Sequence, residues 1–160
     1  MKIKELTRLS KKINLSDMED IIAEVLDNNS NVVITAAGVS MEPFIHDGKD
    51  NVSLRKPEKR PQKGDVVFYK RSNGKLVLHR IVGEDENGYV LCGDNQWAKE
   101  YGIKESQIIA VLDSVERNGR AHDSDSLYFK FYKTFLTPIK WGRRIKTSVS
   151  IRLRGDNKND

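Results

Sequence analysis

Between Asn31 and Arg117 the chain is a succession of short apolar runs, each stopped by a turn signal, and this rhythm constrains its fold more than any other feature. The runs are NVVITAA, NVSLRK, DVVFYKR, KLVLHRIVG, GYVLCGD and QIIAVLDSVER. The stops are DGKDN, PEKRPQKGD, RSNGK, EDENG and RNGR. Runs this short suit strands better than helices, and the Asn-Gly dipeptides in SNG and ENG favour two-residue hairpin turns. A mainly β chain follows, with a compact antiparallel β domain of about six strands over residues 31–118.

The flanks have a different period. Leu15-Ser16-Asp17 followed by MEDIIAEVLDNN places Ile21, Ile22, Val25 and Leu26 at helical spacing behind a capping signal, so residues 1–30 form an N-terminal helical segment. After Gly119 the stretch LYFKFYKTFL again has helical spacing, with Leu127, Phe131 and Phe135 on one face, and Pro138 breaks or kinks it. Residues 119–160 are therefore read as a basic, aromatic helical tail. From Tyr128 to Arg154 this tail contains Lys and Arg but no Asp or Glu.

Composition narrows the class. Of 160 residues, 38% are hydrophobic and 32% charged, which fits a folded soluble domain. The longest apolar run, VVITAA, is too short for a membrane span. The N-terminus lacks the apolar core of a secretory signal, which points to a cytoplasmic chain. A single cysteine, Cys92, rules out an intrachain disulfide and a cysteine-based zinc site. The three histidines are widely separated, so no metal and no cofactor is expected. The net charge of +5 is concentrated in the tail, where residues 127–154 have the composition of a segment that lies on an anionic membrane surface. Such a tail offers peripheral attachment at the inner face of a membrane. Nucleic acid is the less favoured partner.

Three short stretches carry possible chemistry. GVSMEPFIHDG (38–48) ends an apolar run on Ser40, two residues after Gly38 and directly before Met41. Alone, such a serine is more often a turn residue than a nucleophile. KLVLHRIVG places His79 in mid-strand with Val77 and Ile81 on its face and Leu78, Arg80 and Val82 on the other. A lone strand histidine is usually a core or edge residue with a satisfied hydrogen bond. CGDN then supplies Asp94 after the next hairpin, and Glu100 follows six residues later. A serine, a histidine and a carboxylate on one small domain are the parts of a nucleophile, base and orienter set.

In their order, these boxes resemble the type I signal peptidases and the wider superfamily that also holds self-cleaving repressors. GVSMEP matches the Ser-Met-x-Pro box, KGDVVFYK the Gly-Asp-hydrophobic strand, LVLHRIVG the strand with the general base and CGDN the Gly-Asp-Asn box. The resemblance implies a serine endopeptidase acting on a peptide or precursor protein, with Ser40 as nucleophile and His79 as base, as in the His-containing branch. It implies either Asp94 or Glu100 as the acid that orients His79, with Asp94 slightly favoured. It also places Met41 along the substrate groove, and Gly38 where some relatives have an oxyanion-binding serine. The membrane anchor usual in the family is not recognised at the N-terminus. Two other readings stay open: a self-cleaving repressor-like peptidase, for which Ala37-Gly38 lies very close to Ser40, and a non-enzymatic β adaptor that binds membrane or nucleic acid through its tail.

Overall fold

A computed structural model describes residues 15–28, 30–123 and 126. The expected tail helix over LYFKFYKTFL and the membrane-surface segment 127–154 lie outside the described residues. So does the chain before Leu15.

Helix α1 (Leu15–Asp27) is followed by eight antiparallel strands in one sheet: β1 (Val32–Thr35), β2 (Asn51–Arg55), β3 (Val66–Lys70), β4 (Leu76–Asp85), β5 (Gly88–Cys92), β6 (Glu100–Ile103), β7 (Ile108–Arg117) and β8 (Arg120–Asp123). The strand order is β1-β2-β7-β3-β4-β5-β6, with β8 paired to β7. All six expected runs are strands. The sequence reading missed β6 and β8 for a common reason, which is that neither has an apolar run. β6 is the four-residue EYGI with Gly102 inside it, at φ +70. β8 is RAHD, held only because Asn118 (φ 52) and Gly119 (φ 74) turn the chain back onto β7. The sheet thus continues through Asp123, into the stretch read as tail.

Alternation along the strands divides the interior in two. One core, under α1, contains Ile22, Leu26, Met41, Phe44, Ile45, Val52, Leu54, Val66, Phe68, Ala110, Leu112 and Val115. The other gathers Val67, Tyr69, Ile81, Tyr89, Leu91, Ile103 and Val111. Of the four apolar positions expected on the helix, Ile22 and Leu26 are buried, whereas Ile21 is 36% exposed. The alternation in β4 is as expected, with Leu78 against the first core and Val77 and Ile81 in the second.

The sheet is strongly curled. Register shifts interrupt the β2–β7, β3–β7, β4–β5 and β5–β6 pairings, and such irregularities bend a sheet. Arg71, one residue past β3, nevertheless forms two hydrogen bonds to Glu100, the first residue of β6. Three strand spacings in a flat sheet would amount to about 14 Å, beyond the reach of the two side chains. Curling around the second core brings β3 and β6 together and places His79 between them.

Candidate active site

Ser40 lies in a loop pinched at its ends. Ala36 N donates to Asp50 O at 2.9 Å and Gly48 N donates to Ala36 O at 2.8 Å, closing residues 36–50 into an Ω-shaped excursion between β1 and β2. Asp47 Oδ1 accepts from Gly38 N at 2.8 Å, and Gly38 adopts φ +92, a conformation that suits glycine. Asp50, fully buried, accepts from His46 N at 2.8 Å and from Arg117 Nε and Nη2 at 2.9 and 2.6 Å. Arg117 Nη2 also donates to Phe44 O at 2.9 Å, so one guanidinium from the end of β7 clamps the loop twice. Burial alone would raise the Asp50 pKa, but the Arg117 fork and the His46 N–H hold its carboxylate below the usual range.

The Gly-Asp-Asn turn after β5 docks on the serine. Asn95 N donates to Ser40 O at 2.8 Å, and Asn95 Nδ2 to Val39 O at 3.0 Å. Gly93 has no alternative here, because a Cβ would stand 2.7 Å from Ser40 O. The backbone on the carbonyl side of Ser40 is therefore fixed. Among the described residues no acceptor is hydrogen-bonded to the backbone N–H of Ser40, which leaves that donor available to an incoming oxygen. Met41 is 3% exposed and packs in the first core, which anchors the residue after the serine.

His79 is 1% exposed. Its Nδ1 lies 3.0 Å from Glu100 Oε1 and 3.4 Å from the Tyr69 hydroxyl. Glu100 is gripped in turn by Arg71, with Nε to Oε2 at 2.7 Å and Nη2 to Oε1 at 2.5 Å. Burial would raise the Glu100 pKa, yet the hydrogen bonds from Arg71 and Tyr69 keep it below the ordinary carboxylate value. A carboxylate beside Nδ1 favours the tautomer with its proton there, leaving the Nε2 lone pair as acceptor. Burial lowers the His79 pKa; Glu100 pulls it upward and the Arg71 charge pushes it down. The imidazole is accordingly neutral near pH 7, the form that can accept a proton.

Asp94 lies elsewhere. It is 2% exposed and accepts from Arg80 Nε and Nη2 at 2.9 and 2.7 Å. Arg80 neighbours His79 on β4 but points to the opposite face. There its Nη1 donates to Gly64 O at 2.8 Å and its guanidinium lies 4.7 Å from the Phe44 ring centroid. The acid touching His79 is thus Glu100, while Asp94 ties the turn under Ser40 to β4 and, through Arg80 over the Phe44 ring, to the Ser40 loop. Among the described residues no hydrogen bond joins Ser40 Oγ to His79. Sequence reasoning passed over Tyr69 and Arg71. Tyr69 sits in an apolar run, and Arg71 was taken only as part of the RSNGK turn. Cys92 is core, its thiol facing the carbonyls of Gly93, Gln96 and Ala98.

A curled antiparallel domain with a serine on a pinned loop and a buried histidine–carboxylate pair is the architecture of a serine-type peptidase. Residues 7–115 match the model of the Peptidase S24-like family, and the chain belongs to that family. The family lies in the serine peptidase superfamily shared by signal peptidases and self-cleaving repressors. No curated protein matches the chain.

Proposed function

We propose that the protein is a serine endopeptidase of the signal peptidase I type that cuts a separate peptide or precursor chain. Ser40 is the nucleophile, His79 the general base and Glu100 the acid that orients it. The observation carrying this reading is the 3.0 Å approach of Glu100 Oε1 to His79 Nδ1, at the pole of the imidazole where a triad places its acid. In the reaction His79 Nε2 takes the Ser40 proton as Oγ attacks the scissile carbonyl. The Ser40 N–H faces the developing oxyanion, and His79 returns the proton to the departing amine.

The family match also admits self-cleavage. Ala37-Gly38 precedes Ser40 too closely to fold back over its own nucleophile, which favours cutting in trans. A mass-spectrometric screen with a proteome-derived peptide library tests both. Wild type should generate new peptide ends, and Ser40→Ala and His79→Ala should each lose about 10⁴- to 10⁶-fold in rate while keeping their circular dichroism. Cleavage by Ser40→Ala equal to wild type would reject the enzyme reading. A Ser40-dependent cut confined to the protein's own chain would support self-cleavage instead.

A further inference from the structure

We propose that Arg71 is a positioning residue of this site, holding the Glu100 carboxylate against His79 Nδ1 by a two-point grip across the curled sheet. The proposal rests on the peptidase reading for its purpose, but its geometry can be tested without any substrate. Glu100 opens β6, a four-residue edge strand with only two paired positions on β5. Its side chain is about a quarter exposed. A carboxylate on so short an edge has several rotamers and a competing attraction to water. Arg71 removes that freedom. Its planar fork takes one hydrogen bond on each oxygen, which fixes the orientation of the carboxylate as well as its position, and a lysine cannot reproduce this.

Arg71 is itself held. Its N donates to Lys75 O at 2.9 Å and its O accepts from Gly74 N at 2.9 Å, so the tight β3–β4 turn sets where the guanidinium starts. Oε1 then serves both partners, at 2.5 Å from Arg71 Nη2 and 3.0 Å from His79 Nδ1. The arrangement has an electrostatic consequence. An ungripped Glu100 would present an uncompensated charge to His79 and favour imidazolium, a poor base. With Arg71 alongside, the carboxylate orients the ring while part of its pull on the proton is cancelled. The other group facing His79 is the Tyr69 hydroxyl from β3 at 3.4 Å; the Asp94 carboxylate, on the opposite face and paired with Arg80, acts on the imidazole only through its charge.

Two readouts test the role on the full chain. The first is NMR titration of the three histidine rings, with His79 assigned by the signal missing in His79→Gln. Arg71→Ala should shift the His79 pKa by about one unit, the scale of a neighbouring charge, upward where Glu100 stays against Nδ1 and downward where the released carboxylate turns to water, while Arg71→Lys should shift it less because the cation remains. The second is the rate of Ser40 labelling by a fluorophosphonate, in which Oγ bonds to phosphorus, fluoride leaves and His79 takes the proton. Arg71→Lys should slow labelling about tenfold or more despite its retained charge, because the fork is lost. An unchanged His79 titration in a folded Arg71→Ala protein would overturn the proposal. If Arg71→Ala fails to fold, Arg71→Lys decides: wild-type labelling at all pH values would overturn it, and slowed labelling in a folded protein would sustain it. Failure of the peptidase reading would look different, with Ser40 unlabelled in wild type and the Arg71-dependent titration intact.

Discussion

Two arginine–carboxylate forks flank β4, and they are built alike but placed differently. Arg80–Asp94 is sealed, with both side chains nearly inaccessible, and the remaining Arg80 nitrogen is spent on Gly64 O. Arg71–Glu100 is partly open, and one oxygen of its carboxylate also meets an imidazole. The first joins three chain segments and leaves neither carboxylate oxygen facing a base. The second joins β3 to β6 and does. Identical pairing chemistry thus serves support on one face of a strand and, on our reading, catalysis on the other, and what decides is which neighbour the carboxylate can still touch.

The sharpest way to break this comparison is to neutralise each acid in turn. Glu100→Gln should lower the rate about 10⁴-fold, as loss of a triad acid does, with a small change in urea midpoint. Asp94→Asn should cost about 3 kcal/mol of stability, because Arg80 would be left buried against Phe44 without its anion, while the folded fraction keeps its activity. The opposite ranking of rates would move the orienting role to Asp94.

Acid titration of stability sharpens the difference further. His79 is held below its ordinary pKa, so the unfolded chain takes up its proton first, near pH 6.5. Stability should therefore fall as pH drops below that value, until the folded pKa is reached. Glu100 and Asp50 are also held low, and they add a second loss beginning near pH 4, where the unfolded carboxyls protonate. Urea midpoints measured from pH 8 to pH 3 should show both phases. His79→Gln should flatten the upper one and Asp50→Asn the lower one.

The smallest effect is expected at the exposed apolar residues beside the site in sequence. Among the described residues, Val39, Trp97 and Tyr101 are large apolar side chains that are well exposed, at 55%, 60% and 64%. Each adjoins an element of the site in sequence. Trp97→Ala should raise KM about fivefold, roughly 1 kcal/mol of lost contact, with kcat unchanged. An equal fall in kcat would place Trp97 in the support of the site rather than at its mouth.

Much of this was legible in the sequence because it rests on local patterns. The hairpin turns, the alternation in β4 and the ordered serine, histidine and Gly-Asp-Asn boxes are all short-range signals. The choice between Asp94 and Glu100 was not legible, because it depends on how far the sheet curls. Asp94 follows a strand that pairs with the one bearing His79, which made it the nearer acid along the sheet. Alternation nevertheless sends Arg80 to the opposite face from His79, and Asp94 goes with Arg80. Glu100 reaches the imidazole only through curvature, which single residues do not announce. Arg71 was hidden for the same reason.

The Arg117 clamp on the Ser40 loop has a consequence for biosynthesis. Its anchors, Asp50 and Phe44 O, lie 67 and 73 residues earlier in the chain. On a ribosome, which delivers the N-terminal part first, Ser40, His79 and Glu100 all emerge before the residue that locks the serine's loop. A nascent chain that has not yet released the end of β7 carries Ser40, His79 and Glu100 but lacks the brace on the Ser40 loop. The loop that carries Ser40 is therefore braced only when synthesis of the domain is nearly complete.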